Sequence, residues 1–140
     1  MTVLKTFIVE DSPVIRDNLI ATLEELVPVQ VVGTAEDETT ALAWLGRSEA
    51  PEAAVDLVIV DIFLKGGSGL GVLRKAVALP RGAKLVVLSN YATTDMRKRC
   101  LELGADRVFD KSGEIDALIH YCARLAAGET GDTAPGALPA

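Results

Sequence analysis

Apolar residues fall along the chain in two rhythms. Short, nearly continuous runs occur at Leu4–Val9, Gln30–Gly33, Leu57–Val60, Lys84–Leu88 and Arg107–Phe109. Between them lie longer stretches of helical period at Pro13–Leu26, Glu38–Leu45, Gly69–Val77, Thr94–Leu103 and Glu114–Leu125. Ile15, Leu19, Leu23 and Leu26 fall on one face of the first such stretch, and Ile115, Leu118, Ile119, Cys122 and Leu125 on one face of the last. Strands apolar at nearly every position suit a parallel sheet covered on both faces, and strict β/α alternation predicts an α/β fold. Ser12 followed by Pro13 marks the start of the first helix, and Ser68 and Ser112 are the expected caps of the third and fifth.

The pattern stops after Leu125. Residues 128–140 are rich in Gly, Pro, Ala and Thr without period and are expected to be a disordered tail, which leaves one folded unit over about residues 3–127. A chain of 140 residues with 49% hydrophobic residues suits a single core. With 14 basic against 20 acidic residues the net charge is −6, which argues against direct binding of nucleic acid through a basic surface. The N-terminus has no secretory pattern, and no run approaches the roughly 18 apolar residues of a membrane span, so a cytoplasmic protein is expected. Cys100 and Cys122 match no zinc or redox spacing and are expected to be reduced core residues. His120 is the only histidine, which leaves little material for imidazole chemistry.

In open parallel sheets the ligand crevice lies beyond the carboxyl ends of the strands. The first run ends in Glu10-Asp11, the third in Asp61 and the fourth in Ser89, and Lys111 stands just past the fifth. Three carboxylates brought together repel one another unless a cation joins them. Magnesium, held by one or two carboxylates, water and phosphate, answers that need, with Glu10, Asp11, Asp61 and a backbone carbonyl near Phe63 as candidate ligands. A carboxylate can also be a nucleophile toward phosphorus, with a metal ion, Lys111 and Ser89 balancing the charge on the phosphoryl oxygens.

These residues carry a resemblance. Phe7-Ile-Val-Glu-Asp-Ser-Pro13, Asp56-Leu-Val-Ile-Val-Asp61, Gly69 eight residues later, Val86-Val-Leu-Ser89, and Gly104-Ala-Asp with Lys111 beyond are, in this order and spacing, similar to the receiver domains of two-component response regulators. The resemblance covers residues 3–127 and implies a flavodoxin-like, doubly wound, five-stranded parallel sheet of order 2-1-3-4-5. It implies phosphorylation of Asp61 by a histidine kinase or phosphotransfer protein. It further implies a metal bound directly by Asp11 and through water by Glu10, with Ser89 and Lys111 contacting the phosphoryl group. With no room for an effector domain after residue 127, the signal is expected to be read by an unknown partner protein, or the domain to act as a relay or phosphate sink. Dimerisation through the fourth and fifth helices stays open.

Three departures stand out. Lys65 occupies a position where the family usually has proline and is followed by Gly66-Gly67-Ser68-Gly69, so a looser loop is expected, with Lys65 a solvated charge or a second cation near the site. Val108 stands where the family often has a switch aromatic. Phe109 next to it would point to the opposite face unless the strand bulges, so the signal is expected to pass through the fourth helix and the loop before it. Phe63 and Tyr91 flank the expected path of attacking water and either shield the acyl phosphate or merely pack.

Asp106 and Asp110 read as loop charges, and Trp44 as packing on the second helix. The run Gly66-Gly67-Ser68-Gly69-Leu70-Gly71 follows the third strand rather than the first and lacks Gly-Lys-Ser/Thr, which argues against nucleotide binding. Two other functions remain from the sequence alone: an unphosphorylated interaction module, and a small phosphatase or transferase using Asp61, for which the chain has no room for a lid.

Overall fold

The computed structural model describes residues 3–47, 55–78, 83–90 and 92–128. The elements alternate in the order β1 (Leu4–Val9), α1 (Pro13–Leu26), β2 (Val29–Ala35), α2 (Glu38–Arg47), β3 (Leu57–Val60), α3 (Gly69–Val77), β4 (Lys84–Ser89), α4 (Thr94–Glu102), β5 (Arg107–Asp110) and α5 (Ile115–Ala126). The strands form one sheet of order β2-β1-β3-β4-β5 with every pairing parallel. The fold class and strand order expected from the sequence are therefore observed.

Strand alternation sorts the core into two layers. Phe7, Val9, Val58, Val60 and Val87 face α2, α3 and α4, where Leu45, Leu73 and Cys100 meet them. Ile8, Leu57, Ile59, Val86 and Leu88 face α1 and α5, against Leu23, Leu118 and Cys122. This explains why β3 reads as four consecutive apolar residues: all four are buried, two on each side. Burying each such side chain contributes about 1.5–3 kcal/mol.

Some local expectations are corrected. β2 runs Val29–Ala35, longer than the apolar run suggested, because an edge strand needs only one buried side. Its register with β1 shifts between Thr6 and Phe7, so Val32 has no Cα partner, and it is half exposed. Leu26 is exposed, so the buried stripe of α1 is Leu19 and Leu23. Ser12 and Ser68 cap α1 and α3 as expected. Ser112 does not cap α5, whose N-cap is Glu114 without a side-chain bond; the Ser112 hydroxyl instead donates to Asp110. The cap of α2, missed in the sequence, is Asp37, whose carboxylate accepts the Thr40 N–H at 2.7 Å and is thereby held below its usual range. Thr93 caps α4 by accepting the Met96 N–H.

Trp44 packs as expected, its indole stacked on Phe7 with ring centroids 4.1 Å apart. Gly33 makes room for it, since a Cβ there would lie 2.4 Å from the indole nitrogen. Gly33→Ala is expected to displace the ring and cost about 1–3 kcal/mol. As Trp44 is the only tryptophan, its emission should shift to the red. An unshifted spectrum at unchanged stability would contradict this packing.

Cys100 and Cys122 are fully buried on opposite layers of the sheet and cannot pair. Burial pushes the Cys122 thiol from 9.0 up to about 12. The fold thus favours the protonated thiol. That contribution to stability is complete below pH 9 and is lost as pH rises toward 12. At pH 8 neither thiol of the native protein should react with a disulfide reagent such as DTNB, and both should react in urea. Rapid labelling of the native state would show that the layers open.

Candidate functional site

The connections leaving β1 and β3 run to opposite faces of the sheet, through α1 and α3 respectively, so the carboxyl ends of these strands open a crevice. Each strand delivers its polar residue to that edge through a backbone bond to a neighbour. The Glu10 N–H donates to the Ala35 carbonyl, the Asp61 N–H to Val9, and the Lys111 N–H to Ser89, all at 2.9–3.0 Å. Glu10 and Asp61 are buried, Asp11 is half-buried, and the Lys111 side chain is only 9% exposed.

Glu10, Asp11 and Asp61 each offer a carboxylate oxygen within 4.8 Å of the others. The Lys111 ammonium donates to Asp61 Oδ2 at 2.9 Å and to Glu10 Oε1. Asp61 Oδ1 accepts the Phe63 N–H at 3.1 Å, and Glu10 Oε2 accepts the Ser12 N–H at 3.1 Å. Both oxygens of Asp61 are thus held, one by a charge and one by the backbone. With all groups ionised, three carboxylates against one ammonium leave the cluster at −2. The cluster is short of positive charge, and its protons report it. Burial, reinforced by the Asp61 charge, raises Glu10 above its usual range even with Lys111 beside it. Burial alone would lower Lys111, but its bonds to Glu10 and Asp61 outweigh that and hold it above its usual value as an ammonium. An all-oxygen donor set with excess negative charge fits a hard divalent cation and gives a soft metal no ligand.

A cleft of about 190 Å³ opens onto the three acids and Lys111, and Phe63 and Asn90 also line it. Phe63 is half exposed there. Ser89 ends β4 on the same edge but is fully buried, and its neighbour Asn90, which the sequence reading passed over, stands in the wall. Lys65 is exposed and does not line the cleft. Tyr91 lies outside the described residues. Asp106 serves the sheet rather than the site, accepting the Leu85 N–H at 2.8 Å.

A family model described as Response regulator receiver domain matches residues 6–123. The chain belongs to the response-regulator receiver family. Among curated proteins, this receiver is 34% identical over 126 residues to a probable transcriptional regulatory protein of Picosynechococcus sp., covering 89% of this chain and 49% of that one. It therefore spans about half the length of that relative. Among solved structures, the signal receiver domain of the response regulator NarL from Mycobacterium tuberculosis superposes with a TM-score of 0.77 at 19% identity, over 92% of this chain and 100% of the other. A Burkholderia pseudomallei response regulator, described with a phosphorylated aspartic acid, calcium ion and citrate, gives 0.69 at 24% identity, over 89% and 69%. No helix of the described residues is long and apolar enough to cross a membrane.

At β5 the receiver departs from the family pattern in a way the structure makes concrete. β5 keeps regular register with β4, so Val108 faces the α2–α4 layer while Phe109 faces α5 and packs on Tyr121. There a guanidinium joins α4 to β5. Arg97 donates to the carbonyls of Ala92 at 2.9 Å and Val108 at 3.1 Å and to Glu114 Oε1 at 2.8 Å. Glu114 also accepts the Asp110 N–H at 2.8 Å, and both bonds hold its carboxyl below the usual range. Neither residue was singled out in the sequence, because an Arg on an amphipathic helix reads as a solvated charge.

Proposed function

We propose that the chain is a phosphorylation-dependent signalling switch that accepts a phosphoryl group on Asp61 from a histidine kinase or phosphotransfer protein and passes its state to a partner protein. The observation that supports this most is the Asp61 carboxylate itself, gripped through both oxygens beside two further acids at the mouth of a cleft. Magnesium, which Glu10, Asp11, Asp61 and the backbone carbonyl of Phe63 would hold, supplies charge neutralisation for the phosphoryl oxygens when bound.

The remaining work falls to the chain's own groups. An Asp61 oxygen attacks phosphorus and forms the acyl–phosphate bond. The bond from phosphorus to the donor nitrogen breaks, and that nitrogen keeps the electron pair, so the donor leaves as a neutral imidazole whose proton is on its other ring nitrogen. On phosphorylation Lys111 exchanges a carboxylate contact for a phosphoryl oxygen, and the Ser89 hydroxyl is the second donor to that group. The Phe63 N–H fixes the nucleophile's rotamer throughout. Phe63, which lines the cleft and is half exposed, would slow attack by water. Catalysis is then limited to the domain's own phosphorylation and dephosphorylation, and the work is done in the cytoplasm, where ATP-charged kinases present their phosphohistidine.

Incubation with magnesium and a small phosphodonor such as acetyl phosphate should add one phosphoryl group, seen by intact-mass spectrometry and labile to base. EDTA should prevent the gain. An unchanged mass in saturating donor and magnesium would sink the proposal, and steady turnover of donor without a labelled protein would indicate a hydrolase instead.

A further inference from the structure

The glycine run after β3 has so far been given no task, although the sequence offers it at a loop where the family's proline is replaced by Lys65. The structure fills the run with Glu38, from the first turn of α2. Its carboxylate Oε1 accepts the Ser68 N–H at 2.8 Å, and its own backbone N–H donates to the Gly66 carbonyl at 2.9 Å. A Cβ at Gly67, which sits at φ +88°, would lie 2.5 Å from the Glu38 side chain. A Cβ at Gly71 would lie 2.1 Å from Glu38 Oε2. The two glycines are the space into which the glutamate fits.

The contact leads to the phosphoacceptor in three steps. Ser68 is bridged antiparallel to Phe63, and the Gly69 N–H closes the turn on the Ile62 carbonyl at 2.9 Å. In a pair closed that way the N–H of Ser68 points away from Phe63 and needs another acceptor, which Glu38 provides. Phe63 in turn gives its N–H to Asp61 Oδ1. We propose that Glu38 is a positioning residue for phosphorylation: through Ser68 and Phe63 it holds the Asp61 carboxylate in its reactive orientation, taking over the stiffening that a proline at position 65 would give. The proposal rests on Asp61 being the phosphoacceptor.

The initial rate of phosphorylation by acetyl phosphate in magnesium, together with the melting temperature and the Phe63 amide proton shift, tests it in five proteins: wild type, Glu38→Ala, Glu38→Gln, Gly71→Ala and the Glu38→Ala/Gly71→Ala double variant. Glu38→Ala is expected to slow labelling about tenfold, the scale on which a loosened reactive geometry is felt. Glu38→Gln keeps an amide oxygen for Ser68 and should recover most of the rate. Gly71→Ala pushes the carboxylate aside and should slow labelling as much as Glu38→Ala, yet it should melt no lower than wild type, because alanine is the better helix residue. The double variant should be no slower than Glu38→Ala alone, since both changes break one contact. The Phe63 amide should move upfield in every slow variant. Labelling at the wild-type rate in Glu38→Ala or Gly71→Ala, or additive losses in the double variant, would overturn the proposal while leaving the phosphoacceptor reading intact. A wild type that takes no label overturns both.

Discussion

Asp61→Asn is expected to take up no phosphoryl group under conditions that label the wild type fully, and to remain folded. The amide nitrogen is not nucleophilic, and its oxygen carries no charge with which to attack phosphorus. Shape is preserved: the Asn oxygen can accept from either the Phe63 N–H or Lys111 but not both, and Lys111 keeps Glu10 as its counter-charge while the loss of the Asp61 charge relieves repulsion among the acids. Removing one partner of a buried pair is costly when it strands a charge, and here none is stranded, so stability should change by no more than about 1 kcal/mol. The cluster's charge falls from −2 to −1, so magnesium should raise the melting temperature of the variant less than that of the wild type. Retained, base-labile labelling in Asp61→Asn would assign the phosphoacceptor elsewhere.

Gly69→Ala should be the most damaging single-methyl addition near the site. A Cβ on Gly69 would sit 2.2 Å from the Asp61 carbonyl oxygen and 2.7 Å from the Ile62 Cα, and both obstacles are backbone. Nothing there can swing aside as a side-chain end would, so either the first turn of α3 or the end of β3 must move. The expected cost is about 3 kcal/mol or more, enough to lower the melting temperature of a domain this size by about 10 °C. Because the carbonyl in the way belongs to Asp61, the remaining folded protein should also phosphorylate slowly. Gly46→Ala in α2 is the control: nothing lies within 4 Å of the added methyl, and helix propensity should make it neutral or slightly stabilising. Equal melting of the two variants would mean that the close approach of α3 to Asp61 is not real.

The parts of this fold that were legible in the sequence are those dictated by burial on both sides. β3 and β4 lie inside the sheet, and their apolar runs matched the observed strands to within a residue. The acidic residues and Lys111 were legible because charge directly after a buried run is unusual and the topology assigns strand ends to one edge. Edge strand β5 was also matched to within a residue; legibility failed at edge strand β2 and where a partner is distant. Edge strand β2 extends into residues whose exposure gives no apolar signal. Ser112 is a good cap by type, yet Asp110 two residues earlier claims its hydroxyl. Asn90 has a neutral side chain whose place in the cleft wall depends on how β4 ends. Glu38 and Ser68 are 30 residues apart, and the empty Cα faces of Gly67 and Gly71 that admit the glutamate look in a sequence like a flexible linker.

The ammonium that meets the acids stands 101 positions from Glu10, and it follows β5, at the rim of the sheet farthest from β2. Contacts of such long sequence separation form late, after the chain between them has organised. A chain in which β5 has come away from β4 would leave the three acids without the Lys111 contact. If Asp61 is the phosphoacceptor, a chain whose β5 is displaced is expected to take up phosphoryl groups more slowly than the complete sheet.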